Sequence, residues 1–384
     1  MSYSRIARPL LFALDPEWIH RQAIRTGFRL SQSSLARSVL RRIYNIQHQE
    51  LRLELFGLKF ENPVGLAAGF DKQGYIYRII ADIGFGHMEI GSISLLPWRG
   101  NPSPTLLRLP RDWGLINRLG LNSEGADAVK DRLSSARFAI PTGLNLVKTA
   151  DPAIAGEEAI QDYLQSFVRL YPLADFITLN LSCPNTIEGR TFEDPELLAP
   201  FLKRLKDCEV QMARRSKAKP VLVKLSPDLD DNTLDRILDL ARDYGLSGCV
   251  IANTTNRREE LKTPGYILHN FGCGGLSGLP LKKYVQKMVR QVWIKSEGRL
   301  PIIACGGVGC DPKKHPAEDV WEYLNLGASL VQLHTGLIYR GPSISKLINN
   351  GLREILSKNK LSSLTEFFAR RADNTASRAG QIPL

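Results

Sequence analysis

The stretch "PVLVKLSPDLDDNTLDRILDLARDYG", residues 220–245, contains a strand pattern followed directly by a helical pattern. Residues 220–225 are largely apolar, which is typical of a strand that is buried on both faces. From residue 230 onward the apolar residues recur at helical spacing, Asp230 or Asp231 can cap the start, and Gly245 can end the helix. A strand followed by a helix is the repeating unit of folds with a parallel sheet.

The same unit recurs along the chain from about residue 60. Eight apolar runs each end in small or polar residues and precede an amphipathic segment. The runs are 63–69, 87–92, 142–148, 176–183, 220–227, 249–255, 301–308 and 330–336. Eight such units predict an α/β fold, a closed (β/α)8 TIM barrel. A doubly wound open sheet is the alternative, but no G-x-G-x-x-G follows the first run.

The 384 residues carry a formal net charge of +12. This charge favours anionic partners such as phosphates, acidic lipid headgroups or nucleic acid, and it is equally compatible with a merely basic surface. The 6 cysteines include no C-x-x-C pair, which is typical of reduced thiols in a cytosolic protein. No apolar run approaches the ~18 residues that span a bilayer, so we expect neither a transmembrane helix nor a secretory signal.

Residues 1–50 break the repeating pattern. Asp15-Pro16-Glu17 predicts a helix start, with the helix reaching about residue 28, and a second helix is expected over about 33–46. Apolar faces flanked by arginines fit a hairpin in a membrane interface, or two helices packed on the barrel with solvated arginines. We therefore expect an N-terminal helical segment at 1–50, a barrel at 51–360 and a C-terminal tail at 361–384, polar and loose after residue 370.

Residues suited to binding an anion collect at the predicted strand ends. Lys72, Lys148 and Lys224 would lie on one rim of the barrel. Phosphate commonly binds after strands seven and eight of such barrels, where Gly306-Gly307 and Thr335-Gly336 stand here. The stretch 275–278 predicts a further flexible loop that is rich in donors. Together these features favour a phosphate-bearing ligand.

The asparagines at loops and strand ends suggest the kind of molecule bound. Asn117, Asn180, Asn185 and Asn253 each offer an acceptor and two donors, which suits a planar imide or pyrimidine. Cys183 follows a strand end; it is either a small buried hydrophobic residue or a general base. The histidines are dispersed, and no set of metal ligands is visible.

Nine motifs carry a resemblance to a known family. In chain order they are "NPVGLAAGFDK" (62–72), "EIGS" (89–92), "INRLGLN" (116–122), "NLSCPNT" (180–186), "VKLSPD" (223–228), "ANTT" (252–255), "GGLSG" (274–278), "CGGV" (305–308) and "LVQLHTG" (330–336). The chain resembles the dihydroorotate dehydrogenase family. "LDPEWIHR" (14–21) resembles the helical extension of its membrane-associated, quinone-dependent branch.

The resemblance implies a reaction and its cofactor. It implies FMN-dependent oxidation of dihydroorotate to orotate in de novo pyrimidine biosynthesis, with a membrane quinone as acceptor. The implied FMN neighbours are Ala67, Ala68, Gly69, Lys72, Ser92, Asn145, Asn180, Lys224, Thr254, Ser277, Gly278, Gly306, Gly307, His334 and Thr335. The implied substrate neighbours are Lys72, Asn117, Asn180, Asn185, Asn253 and Thr254. Cys183 would take the proton from ring carbon 5, and His20 and Arg108 match polar residues of the quinone tunnel.

The resemblance also implies a location. The N-terminal helices would make peripheral contact with the cytoplasmic face of a membrane, where arginines gain roughly 1 kcal/mol each from anionic lipid. We expect no nucleic-acid partner, because the N-terminal arginines fall in an amphipathic hairpin. The oligomeric state stays open, with a monomer favoured.

The sequence departs from the family pattern at several positions. The quinone-dependent branch normally has serine where Cys183 stands, and cysteine marks the soluble branch. His334 and Leu121 replace aromatic residues, Val147 replaces a glycine and Ala252 a threonine. The alternatives are therefore a flavin oxidoreductase with a soluble acceptor or a related cyclic substrate, or a catalytically silent flavin-binding paralogue.

Overall fold

Within the described part of the chain, eight parallel strands close into a barrel, which confirms the predicted fold. The structure is a computed structural model and describes residues 3–182, 192–214 and 217–379. In chain order the strands are β1 Leu53–Leu55, β2 Leu58–Phe60, β3 Val64–Leu66, β4 His87–Ile93, β5 Leu106–Leu109, β6 Gly114–Asn117, β7 Thr142–Leu146, β8 Phe176–Asn180, β9 Val221–Leu225, β10 Gly248–Ile251, β11 Gly275–Gly278, β12 Ile302–Cys305 and β13 Leu330–Leu333. The barrel runs β3–β4–β7–β8–β9–β10–β12–β13, and β13 pairs back onto β3.

Helices connect the barrel strands and cover their outer faces. In chain order they are α1 Arg8–Phe12, α2 Pro16–Ser31, α3 Ser34–Tyr44, α4 Tyr77–Asp82, α5 Ala126–Leu133, α6 Gly156–Leu170, α7 Pro195–Ala213, α8 Asp231–Asp243, α9 Gly265–Phe271, α10 Leu279–Lys295, α11 Pro316–Leu326, α12 Thr335–Arg340, α13 Ile344–Lys358 and α14 Leu364–Ala379. A π-helix occupies Tyr3–Ala7, and 3₁₀ helices occupy Gln49–Leu51, Pro110–Asp112 and Tyr171–Leu173. Among the described helices, none combines the length and apolar character needed to cross a membrane.

The stretch 220–245 folds as its pattern predicts. All residues of β9 are buried, and α8 buries Leu234, Ile237 and Ala241 against the barrel. Asp230 caps α8, because its Oδ1 accepts a hydrogen bond from the backbone N–H of Thr233 at 2.9 Å. The apolar periodicity therefore identifies both the strand and the buried face of the helix.

A small antiparallel sheet, β5–β6–β11, lies outside the barrel and was not predicted. It pairs residues 106–109 with 114–117, and the latter with 275–278. The prediction of a flexible loop at 275–278 is therefore wrong, because strand pairing holds that backbone. The sheet brings Asn117 opposite Gly275, and the Asn117 amide donates to the Gly275 carbonyl at 3.3 Å.

The N-terminal helices α2 and α3 form the predicted pair and dock on the barrel. Asp15 caps α2 by accepting from the backbone N–H of Trp18 at 2.7 Å. The buried carboxylate of Asp82, at the end of α4, accepts from Arg37 at 2.6 Å and from Arg41 at 2.8 Å. Two arginines of α3 therefore attach the helical pair to the first barrel helix.

The C-terminal segment 364–379 is helical, so the prediction of a loose tail after residue 370 is wrong for its described part. Phe367 packs against Trp321 with 4.6 Å between ring centroids. The Arg371 guanidinium lies 4.3 Å from the ring centroid of Trp293. These contacts with the barrel helices stabilise a helix that polar composition alone does not suggest.

Candidate functional site

The carboxyl ends of the barrel strands open into a cavity of about 420 Å³. Its barrel wall contains many of the predicted ligand-binding residues: Ala68, Gly69, Lys72, Ser92, Asn117, Asn180, Lys224, Asn253, Thr254, Ser277 and His334. Its opposite wall contains the predicted tunnel residues His20 and Arg108 and the apolar residues Ile19 and Ala23 of α2. One space therefore lies against both the barrel mouth and the N-terminal helices.

A smaller cavity of about 70 Å³ adjoins the first, sharing Ala68, Lys224, Asn253, Thr254, Ser277 and His334 with it. Its wall also contains the predicted cofactor residues Ala67, Gly278, Gly306, Gly307 and Thr335. The hydroxyl oxygens of Ser277 and Thr335 lie 2.8 Å apart at this end. The structure thus gathers glycine backbone, hydroxyls and one lysine after the last barrel strands.

Helix α11 fixes the glycine loop from behind. The buried Tyr323 hydroxyl donates to the Gly306 carbonyl at 2.6 Å, and Asp319 Oδ2 accepts from the Gly309 N–H at 2.8 Å. Gly307 has φ +72°, and a Cβ there would lie 2.6 Å from Cβ of Lys282. Only glycine fits that position without strain, so the loop presents bare backbone to the small cavity.

The three predicted rim lysines do not share one role. Lys224 is buried at the barrel mouth, and among the described residues no carboxylate pairs with its ammonium group. Lys72 also lines the larger cavity and donates to Asn122 Oδ1 at 2.5 Å. Lys148 instead donates to the carbonyls of Asp151 and Ile154 in its own loop. Two lysines, not three, face the described cavities.

Asn145, predicted to touch the cofactor, lies beneath the cavity floor. Its side chain is fully buried; Nδ2 donates to Glu89 Oε2 at 2.8 Å and Oδ1 accepts from the Ser92 hydroxyl at 2.5 Å. Ser92 in turn accepts from Asn180 Nδ2 at 3.0 Å. In this structure Asn145 therefore contacts the cavity wall through Ser92 and does not line the cavity itself.

Two histidines and a phenylalanine form a row of rings along the cavity wall. His20 and Phe70 meet edge to face at 5.3 Å, and Phe70 and His334 do so at 5.5 Å. Burial, followed by the charge of Lys72, lowers the pKa of His20 to about 4. Burial lowers the pKa of His334 to about 3, with smaller effects from His20, Lys224 and Lys72. Both imidazoles are neutral at physiological pH.

Arg108 closes the far end of the cavity. Its guanidinium donates to the carbonyls of Leu11 at 3.1 Å and Leu14 at 2.8 Å, and it lies 4.7 Å from the centroid of the Phe12 ring. Partial burial lowers its pKa from the usual value. The charge therefore satisfies backbone carbonyls around the end of α1 while one face of the side chain borders the cavity.

The predicted base Cys183 and the substrate residue Asn185 lie outside the described residues. On one flank, Ser182 contacts a residue of the cavity wall: the Asn253 amide donates to the Ser182 carbonyl and, at 3.2 Å, to the Ser182 hydroxyl. On the other flank, Glu193 accepts from the Ser226 N–H at 2.5 Å. Burial raises the pKa of Glu193 to about 8.

Sequence reasoning missed three residues that shape this site. Glu89, Phe70 and Tyr323 each contact a residue or loop of the site described above. Glu89 and Phe70 stand inside quoted motifs; an acidic residue within a buried strand and an aromatic residue in the loop after a strand are the signals that could have identified them. Tyr323 carries no such signal, because its contact depends on the folded chain.

The family assignment follows from a match over most of the barrel: a family model described as dihydroorotate dehydrogenase matches residues 50–356. The chain belongs to the dihydroorotate dehydrogenase family. The resemblance inferred from the motifs, including the quinone-dependent branch, is therefore confirmed.

Relatives named dihydroorotate dehydrogenase (quinone) match the chain almost end to end. The protein from Trichormus variabilis is 38% identical over 381 residues, 95% of this chain and 97% of that protein. The protein from Thermosynechococcus vestitus is 40% identical over 364 residues, 91% of this chain and 96% of that protein. Members of the dihydroorotate dehydrogenase family are flavin-dependent.

Solved structures of the family share the fold. The Eimeria tenella enzyme in complex with ferulenol superimposes with a TM-score of 0.75 at 30% identity, covering 85% of this chain and 92% of that chain. The ligand-free form of the Eimeria tenella enzyme gives a TM-score of 0.74 at 31% identity, covering 85% of this chain and 95% of that chain.

Proposed function

We propose that this chain oxidises dihydroorotate to orotate with bound FMN and passes the electrons to a quinone. The observation that carries the proposal is the single cavity with two different walls. Amides and lysines of the barrel mouth form one wall, and apolar residues of α2 with His20 and Arg108 form the other. A polar substrate and an apolar acceptor can therefore reach one cofactor from different sides.

The residues around the small cavity fit FMN. Ser277 and Thr335 hydroxyls, the Gly306-Gly307 backbone and the Gly278 backbone would hold a phosphate, since these groups donate hydrogen bonds without steric bulk. Ala67, Ala68 and Gly69 leave room beside the barrel mouth for a flat ring system. Thr254 and His334 border both cavities and would contact the cofactor between its phosphate and ring ends.

The chemistry that FMN supplies when bound is reversible two-electron redox, taking up hydride from the substrate and releasing electrons to the acceptor. Lys224 is the chain's contribution to that redox change. Its buried ammonium group, with no described carboxylate partner, would offset the negative charge that reduction places nearby.

The substrate would bind between Lys72 and the asparagines of the mouth. Asn117, Asn180 and Asn253 line the cavity and offer both donors and acceptors to a ring with alternating C=O and N–H groups. Lys72 would attract the substrate carboxylate. Cys183 Sγ would take the proton from ring carbon 5, and Asn185 would complete the contacts to the ring.

Quinone would enter between α2 and the barrel, past His20 and Arg108. The apolar side chains of Ile19, Ala23 and Ile76 suit the isoprenoid portion and exclude water. Neutral His20 offers one donor and one acceptor to a quinone carbonyl without the cost of a buried charge.

The N-terminal helices would bring the chain to its quinone. Trp18, Phe28, Leu35, Val39 and Ile43 are exposed on α2 and α3 among arginines. Burying such a face in the headgroup region gains free energy from apolar area and from anionic lipid. We propose peripheral binding at the cytoplasmic face of a membrane by a monomer.

Steady-state turnover with competing acceptors tests the proposal. Dihydroorotate oxidation is measured with a short-chain quinone, with fumarate and with NAD. The proposal expects turnover with quinone and little with the soluble acceptors. Turnover with only fumarate or NAD would assign the chain to a soluble-acceptor reaction.

Two variants at one position test the base. Cys183→Ala should abolish dihydroorotate-dependent flavin bleaching, because no thiolate remains to take the proton. Cys183→Ser should retain bleaching but need a higher pH, since a hydroxyl gives up its proton less readily than a thiol. Unchanged bleaching in Cys183→Ala would point to another base.

A further inference from the structure

A buried carboxylate lies at the lower end of a hydrogen-bond chain that rises to the cavity. Glu89 is fully buried on β4, inside the barrel. Its Oε2 accepts from Asn145 Nδ2 at 2.8 Å, and its Oε1 accepts from Gln332 Nε2 at 2.8 Å. Both donors are fully buried amides.

The carboxylate sets the direction of the chain from below. Because Glu89 Oε2 accepts from Nδ2, Asn145 points its NH₂ group down toward Glu89 and its oxygen up toward Ser92. That oxygen accepts from the Ser92 hydroxyl at 2.5 Å, which uses the one hydroxyl proton. Ser92 can then only accept from its next neighbour, and Asn180 Nδ2 donates to it at 3.0 Å.

The upper end imposes the same direction. The backbone N–H of Thr254, which can only donate, binds Asn253 Oδ1 at 2.8 Å. Asn253 therefore turns its NH₂ group toward the Ser182 carbonyl and toward Asn180 Oδ1 at 3.3 Å. The contacts at both ends are therefore consistent with one orientation of the amides of Asn145, Asn180 and Asn253.

Gln332 shows that the carboxylate orients its neighbours. The Gln332 amide commits its N–H to Glu89 while its own Oε1 is buried and, among the described residues, has no partner. An unpaired buried carbonyl costs free energy. Gln332 keeps this orientation because the opposite one would place its amide oxygen next to the carboxyl oxygens of Glu89.

We propose that Glu89 is a positioning residue that orients the substrate-binding amides of this enzyme, an inference that rests on the function proposed above. Within the described contacts, Asn180 keeps one N–H free toward the cavity. Asn253 has both N–H groups committed and keeps a lone pair on Oδ1. The site therefore selects a ring with a C=O beside Asn180 and an N–H beside Asn253, as a cyclic imide or ureide has.

Four variants separate orientation from simple core packing. Glu89→Met removes both acceptors, whereas Glu89→Gln keeps one oxygen for Asn145 and can turn its NH₂ group toward Gln332 Oε1, which has no other described partner. The double variant Glu89→Gln/Gln332→Glu restores the direction of the hydrogen-bond chain. The carboxylate now at position 332 accepts from the amide now at position 89, and the oxygen of that amide accepts from Asn145. Gln332→Met is the matched control, since it removes a buried partner of Glu89 but keeps the bond to Asn145.

The first readout needs no substrate. Side-chain amide exchange of Asn145 with water is followed by NMR in the protein as purified, with the signal assigned by its loss in Asn145→Asp. We expect hydrogen exchange of the Asn145 amide to be at least tenfold faster in Glu89→Met and less accelerated in Glu89→Gln. In the double variant Glu89→Gln/Gln332→Glu and in Gln332→Met, the rate should stay close to that of wild type. Unchanged exchange in Glu89→Met would overturn the proposal.

The second readout is the orotate dissociation constant, from the shift that orotate causes in flavin absorbance. The dissociation constant should rise about tenfold in Glu89→Met and return to within about threefold of wild type in the double variant Glu89→Gln/Gln332→Glu. A double variant Glu89→Gln/Gln332→Glu whose dissociation constant is raised about tenfold over wild type would overturn the proposal, and this result decides if Glu89→Met does not fold. If the hydrogen-exchange rates of Asn145 follow the expected order but the wild-type protein does not bind orotate, then Glu89 orients the amides and the proposed function is wrong.

Discussion

Phe70 meets His334 edge to face, with 5.5 Å between the ring centroids and 83° between the ring planes. On its other side Phe70 meets His20 in the same way, at 5.3 Å and 89°. This row of rings joins the last barrel strand to helix α2 along one wall of the cavity. Among the described contacts, Phe70 therefore links His334 at the barrel mouth to His20 of α2.

Phe70→Leu should impair the quinone half of the reaction selectively. Each edge-to-face pair contributes about 0.5–1.5 kcal/mol, so losing two should raise the quinone KM roughly tenfold. Anaerobic bleaching of the flavin by dihydroorotate should change less than about twofold. Phe60→Leu is the control, because Phe60 makes the same contact with His87 at 5.6 Å on the floor of the barrel. An equal effect on quinone KM in both variants would contradict this assignment.

The neutral histidines should make the protein sensitive to acid. The folded pKa values of His20, His334 and His87 are about 4, 3 and 3, below the unfolded value of 6.5. Between those values the unfolded chain binds more protons, so stability is lost as the pH falls below about 6.5. Each histidine contributes a slope of about 1.4 kcal/mol per pH unit within that window.

Urea unfolding of wild type and His334→Phe between pH 8 and pH 5 isolates one histidine. Glu193, with a folded pKa of about 8, acts in the opposite direction, because its stabilisation is lost as the pH rises. The difference between the two proteins should therefore grow as the pH falls below about 6.5 and be flat above it. A difference independent of pH would show that folding leaves the pKa of His334 at its unfolded value, which would contradict the burial described here.

Tyr323→Phe should weaken FMN binding without disturbing the substrate amides. The variant leaves the Gly306 carbonyl without its hydroxyl partner, which costs about 1–3 kcal/mol and lowers FMN affinity about tenfold. Tyr171→Phe is the control, since its equally buried hydroxyl accepts from the Lys219 N–H away from the cavity. Fluorescence titration of both apoproteins with FMN measures the effect; equal affinities would contradict the role of Tyr323.

The exposed face of α3 should control membrane binding. Leu35 is 74% exposed, and burying a leucine in lipid gains about 1.5–3 kcal/mol, so Leu35→Ser should lower vesicle partitioning about tenfold or more. Tyr266→Ser is the control, since Tyr266 is 69% exposed on α9. Sedimentation with phosphatidylcholine vesicles, with and without phosphatidylglycerol, measures both. A loss in Tyr266→Ser that matches that in Leu35→Ser would contradict docking through α3.

The barrel could be predicted because its signal is local. Each buried parallel strand is a short apolar run, and its end carries small or polar residues within the same segment. The sheet β5–β6–β11 could not be predicted, because its strands are short and pair residues 114–117 with 275–278. The helix α14 was missed for a similar reason, since its stability depends on Trp293 and Trp321 of other helices.

The candidate site was predictable at the level of residue types but not of contacts. The lysines, asparagines and glycines at strand ends suggested an anionic, planar ligand. The role of Glu89 was hidden, because its partners Asn145 and Gln332 lie 56 and 243 residues away in the chain. The different contacts of Lys148 and Lys224 depend likewise on side-chain directions that a sequence pattern does not contain.

If one cavity serves a polar substrate and an apolar acceptor through a bound flavin, the visible spectrum of the purified protein without oxygen shows it most directly. Dihydroorotate should bleach the flavin absorbance, and a short-chain quinone added afterwards should restore it, while fumarate and NAD should not. A colourless protein that takes up no FMN, or a flavin that dihydroorotate leaves unbleached, would show that the cavity does not serve this reaction.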